Sequence, residues 1–264
     1  RYSQVSNMLL AIDIGNTNIT IGLFNKETLE KTWRISTSRN NTSDEYGTNI
    51  LNILSNKDIS NKDISAIVMC SVVPPLTTTF VDLFKDYFNI SPLIIGSGTK
   101  TGIKIMYDSP RDVGADRIVD AAAVLHLYKG PAIIVDLGTA TVFDAITANG
   151  EYLGGAISPG IGVSAESLYK ATSQLKRVEL IAPKTAIGKT TTHAIQSGLI
   201  LGYSELIKGM IKRFKEELDN NAKIIATGGL ADIISKEVNL FDIIDHDLTL
   251  KGLQILYKLN STQE

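Results

Sequence analysis

The chain of 264 residues has one cysteine, three scattered histidines, no run of eighteen apolar residues and no excess of charge of either sign. Each of these shortages removes a class of function. A single thiol makes no intramolecular disulfide, and Cys70 lies in AIVMCSVV, where it reads as a small buried hydrophobe before it reads as a nucleophile. A cytoplasmic protein is expected. The polar start RYSQVSN is no signal peptide and nothing is long enough to span a bilayer, so no membrane partner is expected; Met8 reads as the natural start, with Arg1 to Asn7 an appended or mobile tail. Twenty-six Lys and Arg stand against 28 Asp and Glu and are spread along the chain, which argues against a nucleic-acid surface. His126, His193 and His246 lack metal-ligand spacing. No P-loop occurs, since Gly188-Lys189-Thr190 lacks the glycine five residues earlier, and no G-x-G-x-x-G follows a strand.

What is present is organised around Met8 to Phe24, MLLAIDIGNTNITIGLF. The first apolar run suits a strand buried on both faces, the second alternates with period two, and Gly15-Asn16 between them is turn chemistry. Asp13 therefore ends a buried strand. A carboxylate there calls for a metal, a cation or hydrogen-bond donors, and backbone N–H groups with the Asn16 and Thr17 side chains suit phosphate oxygens. Ile133 to Ile146, IIVDLGTATVFDAI, repeats the pattern with Asp136, Gly138, Thr139 and Thr141. Two related hairpins half a chain apart predict a duplicated fold of two domains.

Between and after the hairpins the pattern predicts a strand over Lys31 to Ile35, a helix capped by Ser43 and running to Leu54, and a buried strand from Ile64 to Val73. A helix from Leu76 to Phe88 follows Pro74-Pro75, then a strand over Leu93 to Ile95. Pro110 and Asp112 announce a helix continued by Ala121 to Tyr128 and stopped by Gly130. Its opening turn carries Gly114, Asp116 and Arg117. A glycine there weakens a helix by about 1 kcal/mol relative to alanine, which suggests close approach by something. The second half predicts a glycine-rich loop over Ala156 to Val163, a helix from Ser164 to Tyr169, an irregular stretch from Leu175 to Thr192 and a long helix from His193 to Leu218. The strand Ile224 to Thr227 delivers Gly228-Gly229 to a helix start, a plausible seat for a base and ribose, and Leu248 to Leu259 forms the last helix.

Taken together, Asp13-Ile14-Gly15-Asn16-Thr17, Gly114-Ala115-Asp116-Arg117, Asp136-Leu137-Gly138-Thr139 and Lys189-Thr190-Thr191 closely resemble the type III pantothenate kinase family, from Met8 nearly to the end. The resemblance implies an α/β, duplicated ribonuclease-H-like (actin-like ATPase) fold, its domains spanning 8–118 and 119–264, with mixed sheets flanked by helices and ATP held in a cleft. It implies transfer of the ATP γ-phosphoryl group to the primary hydroxyl of pantothenate, the first step of coenzyme A synthesis, by a homodimer. ATP phosphates would lie on Asp13, Ile14, Gly15, Asn16, Thr17, Asn18, Ile19 and Thr20 and on Thr139; Mg2+ would meet Asp13, through water if not directly, and a monovalent cation, K+ or NH4+, Asp136. Pantothenate would meet Tyr107, Gly114, Ala115, Asp116, Arg117 and Thr191, with Asp116 the catalytic base. The family has Asn where this chain has Thr190, so Thr190, Thr191 and Thr192 compete for the substrate role. An accessory protein without catalysis and a kinase for another small molecule are the alternatives, and Asp13, Asp116, Arg117 and Asp136 speak for catalysis.

Overall fold

A computed structural model describes residues 7–261. The expectation of an appended or mobile tail before Met8 therefore lies outside the described residues except at Asn7. The chain packs as two units, one of 1–102, 111–123 and 249–264, the other of 103–110 and 124–248.

In the first unit β1 (Met8–Ile14), β2 (Asn18–Asn25), β3 (Thr28–Ser36), β4 (Ile64–Ser71) and β5 (Leu93–Ile94) form one sheet in the order β3-β2-β1-β4-β5. β1 is antiparallel to β2 and parallel to β4, and its central position explains an apolar run with no polar alternation. Alternation decides which residues share a face. Leu10, Ile12 and Ile14 meet Tyr46, Ile50 and Leu54 of α1 (Ser43–Ser55) and Phe80, Leu83 and Phe84 of α2 (Pro74–Phe88). There Tyr46, Phe80, Phe84 and Phe88 stack in sequence with ring centroids 4.9, 5.9 and 5.6 Å apart, the tilted and edge-on geometry that aromatic quadrupoles favour. The opposite face carries Leu9, Ala11 and Asp13. On it Gly22 leaves room for Leu250 of the C-terminal helix α8 (Leu248–Ser261), and Gly252 of α8 approaches the Val119 carbonyl of α3 (Ala115–Leu127) so closely that a Cβ would lie 2.5 Å from its oxygen.

Two helix starts differ from expectation. α1 is capped by Thr42, not Ser43: the Thr42 hydroxyl accepts from the Glu45 N–H and the Glu45 carboxylate accepts from the Thr42 N–H, a reciprocal pair that Ser43 is one residue too late to make. Pro110 opens only a 3-10 turn, Pro110–Asp112, and the α-helix begins after Gly114.

In the second unit β6 (Lys104–Ile105), β7 (Ala132–Leu137), β8 (Ala140–Ile146), β9 (Glu151–Pro159), β10 (Lys223–Thr227) and β11 (Ile243–Ile244) form a sheet in the order β11-β10-β7-β8-β9-β6. Without β6 this is the order of the first sheet, so the echo between the two hairpins extends to a whole five-stranded unit. α4 (Ile161–Ala171), α5 (Thr191–Gln196), α6 (Gly202–Glu217) and α7 (Ala231–Val238) are its helices. The expected glycine-rich loop is in large part strand: β9 runs through Gly154, Gly155 and Ala156 with a bulge at Leu153, and α4 starts at Ile161. Gly154 has φ +126°, and a Cβ on it would lie 3.0 Å from the Tyr107 ring. The expected long helix is interrupted at Ser197–Leu201 by a π turn.

Candidate active site

The turn after β1 is built from its own backbone and from the chain beyond β3. Gly15 N–H donates to the Asn18 carbonyl at 3.0 Å, and a Cβ on Gly15 would lie 2.9 Å from that oxygen, so only glycine fits. Thr37 clamps the turn twice, its hydroxyl donating to the Gly15 carbonyl at 2.7 Å and its N–H to the Thr17 carbonyl at 3.0 Å. The Arg39 guanidinium donates to Asn16 Oδ1 at 3.3 Å. Asn16, Thr17 and Asn18 are exposed, whereas Ile14 and Ile19 are fully buried, so of the expected phosphate residues these two offer a ligand only their backbone.

Asp13 stands at the edge of this turn, paired in register with Thr20 on β2 and with Cys70 on β4. The Cys70 thiol donates to Asp13 Oδ1 at 3.4 Å, so the cysteine is buried as expected but is also a polar partner. Burial, then the negative charge of Asp116, raises the Asp13 carboxyl to about 7, against the pull of the Cys70 hydrogen bond and the Arg34 charge. Two carboxylates facing one another in a poorly solvated place form a site that a cation relieves.

Asp116 enters from α3. Its Oδ1 accepts from the Arg117 N–H at 2.8 Å, and burial raises its carboxyl while that hydrogen bond and the Arg117 charge hold it down. The glycine in this turn now has its reason: a Cβ on Gly114 would lie 2.6 Å from Asp116 Oδ1. One turn on, buried Asp120 accepts from the Thr249 hydroxyl at 2.7 Å. Asp13, Thr20, Cys70, Gly114, Ala115, Asp116 and Arg117 are thus gathered in the first unit.

The second unit holds Asp136, Thr139, Tyr107 and Thr191. Asp136 ends β7 as Asp13 ends β1. Three glycines crowd this point: a Cβ on Gly138 would lie 3.3 Å from Asp136 Oδ1, on Gly228 2.6 Å from the same oxygen, and on Gly160 2.4 Å from the Thr139 carbonyl oxygen and 2.5 Å from that of Gly138. A carboxylate with main-chain carbonyls nearby is an oxygen-rich environment that suits a hard monovalent cation. Gly228 thereby has a packing reason of its own. Exposed Thr139 follows Asp136, while Thr141, singled out by the repeat, is fully buried with its hydroxyl unpartnered in the core. Tyr107 packs beside Tyr152 at 6.0 Å between centroids. Among the three competing threonines, Thr190 is engaged as a helix cap, its hydroxyl accepting from the His193 N–H at 3.2 Å, and Thr191 is the exposed first residue of α5.

Among the described residues no group of three or more His, Cys, Asp or Glu is placed to hold a metal. Divalent ions bound with nucleotides use one or two carboxylates and the phosphates, so Asp13 fits such an ion and a protein cage is not required. No described helix is long and apolar enough to cross a membrane.

Sequence reasoning missed Thr37, Arg39 and Arg34, and the hydrogen bond from Cys70 to Asp13. None has a motif, and each reaches the turn or Asp13 only through strand pairing or the loop after β3.

The sequence profile of the type III pantothenate kinase family matches residues 9–213. Proteins named type III pantothenate kinase from Dehalococcoides mccartyi are 48% identical over 252 residues in strain CBDB1, covering 96% of each chain, and 46% identical over 256 residues in strain ATCC BAA-2266, covering 97% of this chain and 99% of the relative. Among solved structures, a protein described as a Baf family transcriptional activator from Campylobacter jejuni is similar with a TM-score of 0.61 at 22% identity, over 95% of this chain and 98% of that one. The inorganic polyphosphate/ATP-glucomannokinase of an Arthrobacter strain is similar with a TM-score of 0.51 at 14% identity, over 96% and 99%. A ROK family protein from Streptococcus pneumoniae gives 0.52 at 13%, over 97% and 100%. The likeness to these three structures is one of fold, over nearly the whole of each chain.

Proposed function

The chain belongs to the type III pantothenate kinase family, and from that premise we propose how its residues divide the work of phosphorylating pantothenate. The reaction itself follows from the family: the γ-phosphoryl group of ATP passes to the primary hydroxyl of pantothenate, opening coenzyme A synthesis. Phosphoryl transfer asks mainly for positioning and charge neutralisation.

The reading rests above all on Asp116, a partly buried carboxylate whose acidity is set by burial and by Arg117, beside Asp13 at the end of β1. Asp116 is the base. As the pantothenate oxygen forms its bond to the γ-phosphorus, the bond from that phosphorus to the bridging oxygen breaks, the hydroxyl proton passes to Asp116, and ADP carries away the charge. The exposed residues Asn16, Thr17 and Asn18 of the turn, with Thr20 and Thr139, hold phosphate oxygens. Bound Mg2+ supplies charge neutralisation of the phosphates, and Asp13 orients it, directly or through water. A monovalent cation sits on Asp136. Arg117 receives the pantothenate carboxylate, for which a planar guanidinium is suited, with Tyr107 and Thr191 as further contacts. The enzyme works in the cytoplasm as a homodimer, for which the exposed apolar side chains Ile157 of β9 and Val163, Leu168 and Tyr169 of α4 offer a surface in the second unit.

Asp116→Asn tests the assignment of the base. Asparagine keeps size but accepts no proton, so kcat falls roughly a hundredfold or more, the scale of general-base catalysis. Calorimetry then finds pantothenate affinity within about tenfold of the parent. Normal turnover would make Asp116 a helix-dipole acid and nothing more.

A further inference from the structure

Strand pairing in the first unit sets four side chains in one row across the sheet. Arg34 of β3 stands opposite Thr20 of β2, Thr20 opposite Asp13 of β1, and Asp13 opposite Cys70 of β4. Residues paired laterally point to the same side of a sheet, so the row lies on the face that Asp116 also approaches. Thr20, Asp13 and Cys70 already have roles or partners there. Arg34 does not.

β3 is an edge strand, Arg34 is exposed, and among the described residues no hydrogen bond or ion pair engages its guanidinium. Its charge is nevertheless close enough to act on Asp13. Arg39, by contrast, is tied to the turn through Asn16. A fixed fork of donors with no protein acceptor, aligned with a threonine and a carboxylate beside a phosphate-binding turn, matches the geometry of a phosphate oxygen pair.

We propose that Arg34 is a further catalytic residue of this kinase, its guanidinium reaching past Thr20 to the transferring phosphoryl group of ATP. This rests on the reading that ATP phosphates lie on the turn Asp13 to Thr20. As the bond to the bridging oxygen breaks and the bond to the pantothenate oxygen forms, charge spreads over the equatorial oxygens of the phosphoryl group, and Arg34 stabilises it from the β3 side. Asp13 and its cation act from the β1 side. The hydroxyl proton still goes to Asp116, so Arg34 neither gains nor loses one.

The test compares Arg34→Gln, Arg34→Lys and Asp13→Asn with the parent in pantothenate-dependent ATP consumption, with ATP and ADP affinities measured by calorimetry. Arg34→Gln lowers kcat about a hundredfold, the scale of losing one transition-state donor, and leaves KM for pantothenate unchanged. ATP binds more weakly while ADP binds as before, because only ATP carries the transferred group. Arg34→Lys recovers part of kcat. The thermal midpoint of Arg34→Gln stays that of the parent, since the side chain makes no bond to lose. Normal kcat in Arg34→Gln, with Asp13→Asn inactive, overturns the role of Arg34 and leaves the phosphate site standing. Normal kcat in both overturns the phosphate site and Arg34 with it. Equal weakening of ATP and ADP also overturns the proposal, because it places Arg34 on the part of the nucleotide that is not transferred.

Discussion

Asp13 illustrates how a residue at the end of a buried strand carries a conflict that a proton or a bound cation resolves. Its folded carboxyl, near 7, lies above the ordinary 3.8, so the folded chain holds a proton that the unfolded chain has already lost between those values. Without metal and nucleotide, stability is therefore greatest below about pH 4 as far as this group is concerned, and falls as pH rises towards 7. Each pH unit of that displacement is equivalent to about 1.4 kcal/mol, so the slope amounts to a few kcal/mol. Urea unfolding between pH 5 and 8 measures it; Asp13→Asn flattens it and is the more stable protein at pH 8. A parent protein with no such slope would mean that Asp13 is solvated or paired. The sequence placed this aspartate at a strand end beside turn chemistry, but the thiol that donates to it lies 57 residues away, and that meeting is made by the parallel pairing of β1 with β4.

At the scale of elements, the two hairpins were legible because period, turn residue and terminal aspartate agree in each copy. Boundaries that depend on reciprocal bonds were less so. Thr42 outranks Ser43 as a cap because Glu45 stands three residues after it, a spacing the sequence does contain. The strand character of Gly154 to Ala156 was hidden, since glycine weakens any strand signal and here it serves a bulge and the approach of Tyr107. The same backbone demand yields a prediction at Gly228. Its φ is +90°, and a Cβ would lie 2.5 Å from the Leu137 carbonyl carbon. Gly228→Ala therefore destabilises by about 1–3 kcal/mol, the scale of imposed backbone strain, and lowers the thermal midpoint correspondingly. An unchanged midpoint would show that β7 and the turn after β10 can separate without penalty.

For the whole molecule, duplication explains why two aspartates occupy equivalent strand ends, Asp13 on β1 and Asp136 on β7, each in the middle of a sheet of the same order. Duplicated position does not mean duplicated chemistry: Asp13 has a thiol and a second carboxylate for neighbours, Asp136 has glycines and carbonyls. If Asp136 holds a monovalent cation as proposed, turnover depends on one besides Mg2+. Replacing K+ by tetramethylammonium lowers the rate to a small fraction, and unchanged turnover would remove the cation from Asp136. What the sequence by itself determined is local: strand ends, turns, helix cores and the motifs of the family, all carried by residues close along the chain. What only the tertiary structure decided is long-range. It alone joined the last helix to the first sheet through Gly22 and to α3 through Gly252, and it alone aligned Arg34, Thr20, Asp13 and Cys70. Register is settled by burying one face of each strand against its neighbours, and a single-residue slip of any one strand would turn its member of the row to the other face.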